Sequence, residues 1–71
     1  MININKLKGI IVEKGLNIEK VAHGIGMTPA TLYRRFQDPS QFTIREVLVL
    51  SDFLELTAQE AIEIFFSRYV A

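Results

Sequence analysis

Apolar positions along this chain recur at helical intervals, and glycine, proline and capping residues interrupt them at short, regular distances. Ile4, Leu7 and Ile11 fall at i, i+3 and i+7, with Lys6, Lys8 and Lys14 off that stripe, which predicts a first helix. Gly15 stands just past Lys14, where a left-handed C-terminal cap is expected. Asn17 has the chemistry of an N-cap, because its side-chain oxygen can accept a free N–H of the next turn. The second, short helix would bury Val21, Ala22 and Ile25. Gly24 inside it costs about 1 kcal/mol relative to alanine.

Gly26-Met27-Thr28-Pro29 predicts an abrupt change of direction. Gly26 can take the positive φ that ends a helix sharply. Thr28 is a good N-cap, and Pro29 suits the first helical position because its missing N–H would be unpaired there. A third helix follows from Pro29 to about Phe36, with Leu32 and Phe36 inward, and Gln37–Gln41 reads as a loop. Thr43-Ile44-Arg45-Glu46 is a capping box that opens a fourth helix to about Leu54, with Ile44, Val47, Leu48, Ser51 and Leu54 expected on the buried side. Thr57-Ala58-Gln59-Glu60 repeats the box and opens a fifth helix to about Arg68. With no strand-like alternation and no internal repeat, the expectation is an all-α, five-helix single domain spanning 1–71.

Composition narrows the chemistry. There is no cysteine and one histidine, His23, so neither a disulfide nor a metal set is expected, and no nucleophile–base pair suggests an enzyme. No cofactor and no small-molecule ligand is implied. A domain this short buries only about 60% of the surface its unfolded chain exposes. Its 49% hydrophobic content against 23% charged residues points to a dense core, to association with a partner, or to both. No apolar run reaches membrane-spanning length, and Met1–Leu7 lacks the apolar core of a signal peptide, so the expected location is the cytoplasm, away from any membrane.

The formal net charge is zero, but it is unevenly spread. Residues 1–45 carry seven Lys or Arg against three carboxylates, and residues 46–71 carry one Arg against five. The basic half is a candidate phosphate-facing side; two solvated surfaces that happen to differ is the other reading.

A short helix, a glycine-containing turn and a second short helix, at about 17–36, form the arrangement of a helix-turn-helix, whose second helix enters the DNA major groove. Val21-Ala22, Ile25-Gly26-Met27-Thr28 and Thr31-Leu32 resemble that unit in phage repressors and Cro proteins, and Ile44–Ala58 resembles the two helices that follow it there. The small size and the Ile64-Phe65-Phe66 ending look like compact phage- or prophage-encoded members. Arg35 departs from the pattern, standing where the family more often has an apolar residue.

The resemblance implies a transcriptional regulator of repressor-like fold that reads double-stranded DNA through the third helix. Thr28, Pro29, Ala30, Tyr33, Arg34 and Gln37 would lie on the reading surface. Arg34 is the candidate for a forked hydrogen bond to guanine. The helix starts at Asn17, Thr28 and Thr43 suit phosphate oxygens, with Lys20 and Arg35 adding charge nearby.

On the fifth helix the apolar arc spans roughly 200°, wider than the ~100° of an ordinary surface helix. Either a second copy covers the excess, through Ile64, Phe66 and Val70 on a helix at about 58–70, or the tail folds back to finish the core. A rival function is a protein-interaction module that docks on another phage regulator in place of DNA. Neutral charge, acidic last helices and the broad apolar face suit that rival.

Overall fold

The structure, a computed structural model, describes residues 2–67. Five helices follow one another: α1 (Ile4–Glu13), α2 (Ile18–Gly24), α3 (Pro29–Gln37), α4 (Ile44–Phe53) and α5 (Ala58–Phe65). The expected loop between α3 and α4 contains a single turn of 3-10 helix, Pro39–Gln41.

Every α-helix start is capped by the side chain that precedes it. Asn3, Asn17, Thr28, Thr43 and Thr57 each accept the backbone N–H three residues on, and Thr43 and Thr57 form complete capping boxes with Glu46 and Glu60. These bonds satisfy donors that no helix can satisfy internally. Asn3 also donates its own N–H to the Ile64 carbonyl, tying the start of α1 to α5.

Three helix ends share one closure. Leu16, Met27 and Leu56 donate their N–H groups to Ile11, Ala22 and Ser51, each five residues back, and the residue before each donor has positive φ. At the first two it is glycine, Gly15 (φ 72°) and Gly26 (φ 75°); at the third it is Glu55 (φ 53°). This closure needs a left-handed residue, followed by an apolar one that turns back onto the last helical turn. Leu16, Met27 and Leu56 all pack against the core in that way.

The core joins Leu7, Ile10 and Ile11 of α1, Val21 and Ala22 of α2, Leu32 and Phe36 of α3, Leu50 and Leu54 from α4, and Ile64 and Phe65 of α5. α2 packs on α3 and on α4, and α1 lies against α5. Phe36 and Phe42 meet with ring centroids 6.3 Å apart, sealing the α3–α4 corner.

Two expectations about burial are corrected. On α4 the inward residues are Val47, Leu50, Ser51 and Leu54, whereas Ile44 and Leu48 point outward at 80% and 64% exposure. The segment Ile44–Leu50 is apolar nearly all round, so periodicity alone cannot choose its buried side; tertiary contacts do. One contact is the Phe53 ring, which lies over Gly24, in the space a Cβ at that position would need. The glycine that weakens α2 by propensity is what lets α4 approach it. The second correction concerns Ile64, which has no exposed surface and belongs to the core, so it cannot form an interface between copies.

Candidate nucleic-acid interface

Leu32 and Phe36 lock α3 to the core, and that fixes which side of the helix faces outward. Pro29, Ala30, Tyr33, Arg34 and Gln37 are all exposed, with Thr28 at the cap. The angle of α3 to α2 is set by the turn at Gly26 and by Val21, Ala22 and Leu32, which are fully buried between the helices, with Ile25 and Met27 wedged at the edge.

A polar chain runs along one edge of α3. Thr28 Oγ1 accepts the Thr31 N–H at 3.2 Å and donates its hydroxyl proton to Thr31 Oγ1 at 2.9 Å. Arg34 Nη2 donates to the same Thr31 oxygen at 3.4 Å. The contact is long and lies at the surface, so Arg34 is oriented along the helix while its remaining donors face solvent.

Asn17 and Lys20 stand exposed at the start of α2, and Thr43 at the start of α4. A shallow depression between the α2–α3 turn and the start of α4 is lined by Met27, Thr28, Thr31, Thr43 and Arg45, among others. It brings two capped helix N-termini together. Arg45 and Thr31 were not among the DNA-contacting residues expected from sequence. Thr31 sits within the helix-turn-helix pattern and could have been found there; Arg45 reaches this depression from a different helix, which no local spacing reveals.

Arg35 does not join this surface. Its Nε donates to Glu46 Oε1 at 3.0 Å and its Nη2 to Glu46 Oε2 at 3.2 Å, in a half-buried fork between α3 and α4. The hydrogen bonds from Arg35 hold the Glu46 carboxyl below its ordinary range, and Glu46 in turn raises Arg35. A neutralised, anchored guanidinium is a structural clamp, so the expectation that Arg35 adds charge for phosphate is corrected. Lys6 is likewise held near Glu63, at 3.4 Å. The basic first half thus spends two of its cations on carboxylates of the acidic second half.

A family model for the Cro/C1-type helix-turn-helix DNA-binding domain matches residues 6–67. The chain belongs to this family. No curated protein and no solved structure matches it. As a Cro/C1-type domain it is an all-α, DNA-binding fold in which α2 and α3 are the helix-turn-helix pair. No helix among the described residues is long and apolar enough to cross a membrane.

At the far end, Phe66 is half exposed and lines a groove with Ile2, Ile4, Phe42 and Phe65 on its apolar side and Asn3, Asn5, Asp38 and Ser40 on its polar side. Val70 lies outside the described residues.

Proposed function

We propose that this Cro/C1-type domain is a sequence-specific transcriptional regulator that inserts α3 into the major groove of double-stranded DNA. The observation that carries the reading is the outward side of α3. Arg34, Tyr33, Gln37, Ala30 and Pro29 project together from a helix whose opposite side is fixed by Leu32 and Phe36. Arg34 forks onto guanine, Ala30 and Pro29 meet a thymine methyl, and Gln37 reads adenine or touches phosphate. The N-termini at Asn17, Thr28 and Thr43, with Lys20, hold the flanking phosphates and set the register.

Two copies related by a two-fold axis would place their α3 helices in successive major grooves about 34 Å apart and read a pseudo-palindromic operator. Occupancy beside a promoter then represses or recruits polymerase, as in phage and prophage regulators of this type. Phe66, with Val70 beyond it, is one candidate contact between copies.

A second reading is favoured by the apolar residues exposed on α4 and α5: docking on another regulator. Titration of the purified chain into DNA flanking its own gene, at two salt concentrations and against random competitor, separates the two. DNA recognition is expected to weaken steeply with salt. Binding no tighter than to competitor overturns autoregulation through that DNA.

A further inference from the structure

The outward side of α4 is built unlike an ordinary solvated helix face. Stepping 100° per residue, Arg45 and Asp52 lie within about 20° of each other in the middle of that side. On the same scale Leu48 and Val49 flank them at roughly 50° on either hand, and Ile44 and Phe53 mark the margins. Ile44, Leu48, Val49 and Phe53 are all exposed, and neither Arg45 nor Asp52 is ion-paired among the described residues. Three large apolar side chains on one helix face, Ile44, Leu48 and Val49, exceed the scattered singles of a normal surface, while Phe53 at the margin keeps its ring on Gly24.

The charges give the face a direction. Arg45 and Asp52 are two helical turns apart, about 10.5 Å along the axis, with Leu48 and Val49 midway between them. If a second α4 packs antiparallel at this register, each Arg45 comes level with the other copy's Asp52. Leu48 then meets Leu48, and Val49 meets Val49, beside the axis. Both ion pairs form in one arrangement because a two-fold contact is self-complementary. A parallel arrangement, or one shifted by a turn, leaves the charges unmatched.

We infer that the outward face of α4 binds a second copy of this chain, antiparallel, about a two-fold axis level with Leu48 and Val49. The inference deepens the dimeric part of the proposed function and does not depend on DNA binding. Two ten-residue helices bury a small area, so the contact is weak in solution, with Kd on the order of 100 µM.

Sedimentation equilibrium without DNA tests this, using the native chain, Arg45→Asp and Asp52→Arg, with circular dichroism to confirm that each is folded. Both substitutions are at exposed positions. Each variant alone sets two like-charge pairs against each other and is expected to self-associate about tenfold more weakly or worse. An equimolar mixture of the two restores both opposite-charge pairs and is expected to form a heterodimer at least as tight as the native pair. A native chain that stays monomeric up to millimolar concentration overturns the inference, and leaves the apolar face to a different protein. So do variants that associate like the native chain, or a mixture that fails to recover. Loss of association in Phe66→Ala, with the charge variants unaffected, overturns it in favour of the α5 end. Since no DNA is present, none of these outcomes bears on whether α3 reads an operator.

Discussion

Arg35 grips both carboxylate oxygens of Glu46, at 3.0 and 3.2 Å, while Glu46 Oε1 also accepts the Thr43 backbone N–H at 3.0 Å. One carboxylate therefore caps α4 and fastens it to α3. Glu46→Ala removes both functions and is expected to cost about 1–2 kcal/mol in urea unfolding, the sum of a lost cap and a lost fork. Arg35→Ala keeps the capping box and should cost less. The order Glu46→Ala above Arg35→Ala is the result to check; equal costs would mean that the clamp matters and the cap does not, and the reverse order would contradict the account.

The same carboxylate gives stability a pH dependence. Glu46 is held below its ordinary range chiefly by the Arg35 hydrogen bonds, and Glu60 by the Thr57 backbone N–H. A carboxyl whose folded pKa is depressed contributes stability that is complete above its unfolded value, ~4.3 for glutamate, and is lost as pH falls through the folded value. Urea midpoints are thus expected to be level from pH 7 to 5 and to decline below about pH 4.5. Glu46→Gln should be less stable at neutral pH and show a shallower decline. Parallel profiles for the two proteins would remove Glu46 from the explanation.

Gly24 and Phe53 are predicted to be energetically coupled. Gly→Ala within a helix ordinarily gains up to about 1 kcal/mol, and less at the last helical position, which Gly24 occupies. Here the new Cβ meets the Phe53 ring, which must swing off α2 and surrender its packing. Gly24→Ala in the native background should be neutral or destabilising, whereas in a Phe53→Ala background it should gain the full amount. A double-mutant cycle showing no coupling would mean the ring's place over Gly24 contributes nothing.

Most of the fold was legible because its punctuation is local. Asn17, Thr28-Pro29, Thr43 and Thr57 announce helix starts within one turn of themselves, and Gly15 and Gly26 announce ends. Glu55 was not legible as a left-handed terminator, since nothing in glutamate's chemistry favours φ of 53°. The buried side of α4 was not legible either, since a stretch with apolar residues on nearly every side acquires its orientation from core packing of Val47, Leu50 and Leu54, from Phe53 on Gly24 and from Arg35 on Glu46. Those partners lie on other helices. The same holds in the candidate site: the outward residues of α3 follow from Leu32 and Phe36 alone, but the diversion of Arg35 and the arrival of Arg45 beside Thr28 depend on α4.

The Glu55 observation makes its own prediction. Replacing Glu55 by glycine relieves a left-handed penalty of roughly 1–2 kcal/mol and loses part of that to unfolded-chain entropy. A modest net gain, up to about 1 kcal/mol, is expected from thermal or urea unfolding. Destabilisation would show that the glutamate side chain holds something the left-handed backbone does not explain.

The most direct test of the central claim is the salt-dependent affinity of native and Arg34→Ala protein for a DNA site selected from a random pool. If α3 is the reading helix, the native chain prefers the selected site over random DNA and its log affinity falls linearly with log salt, while Arg34→Ala loses about 1–3 kcal/mol of that preference and keeps residual, salt-sensitive binding to any sequence. Selection that enriches no site, or an Arg34→Ala protein that discriminates as well as the native one, contradicts the account.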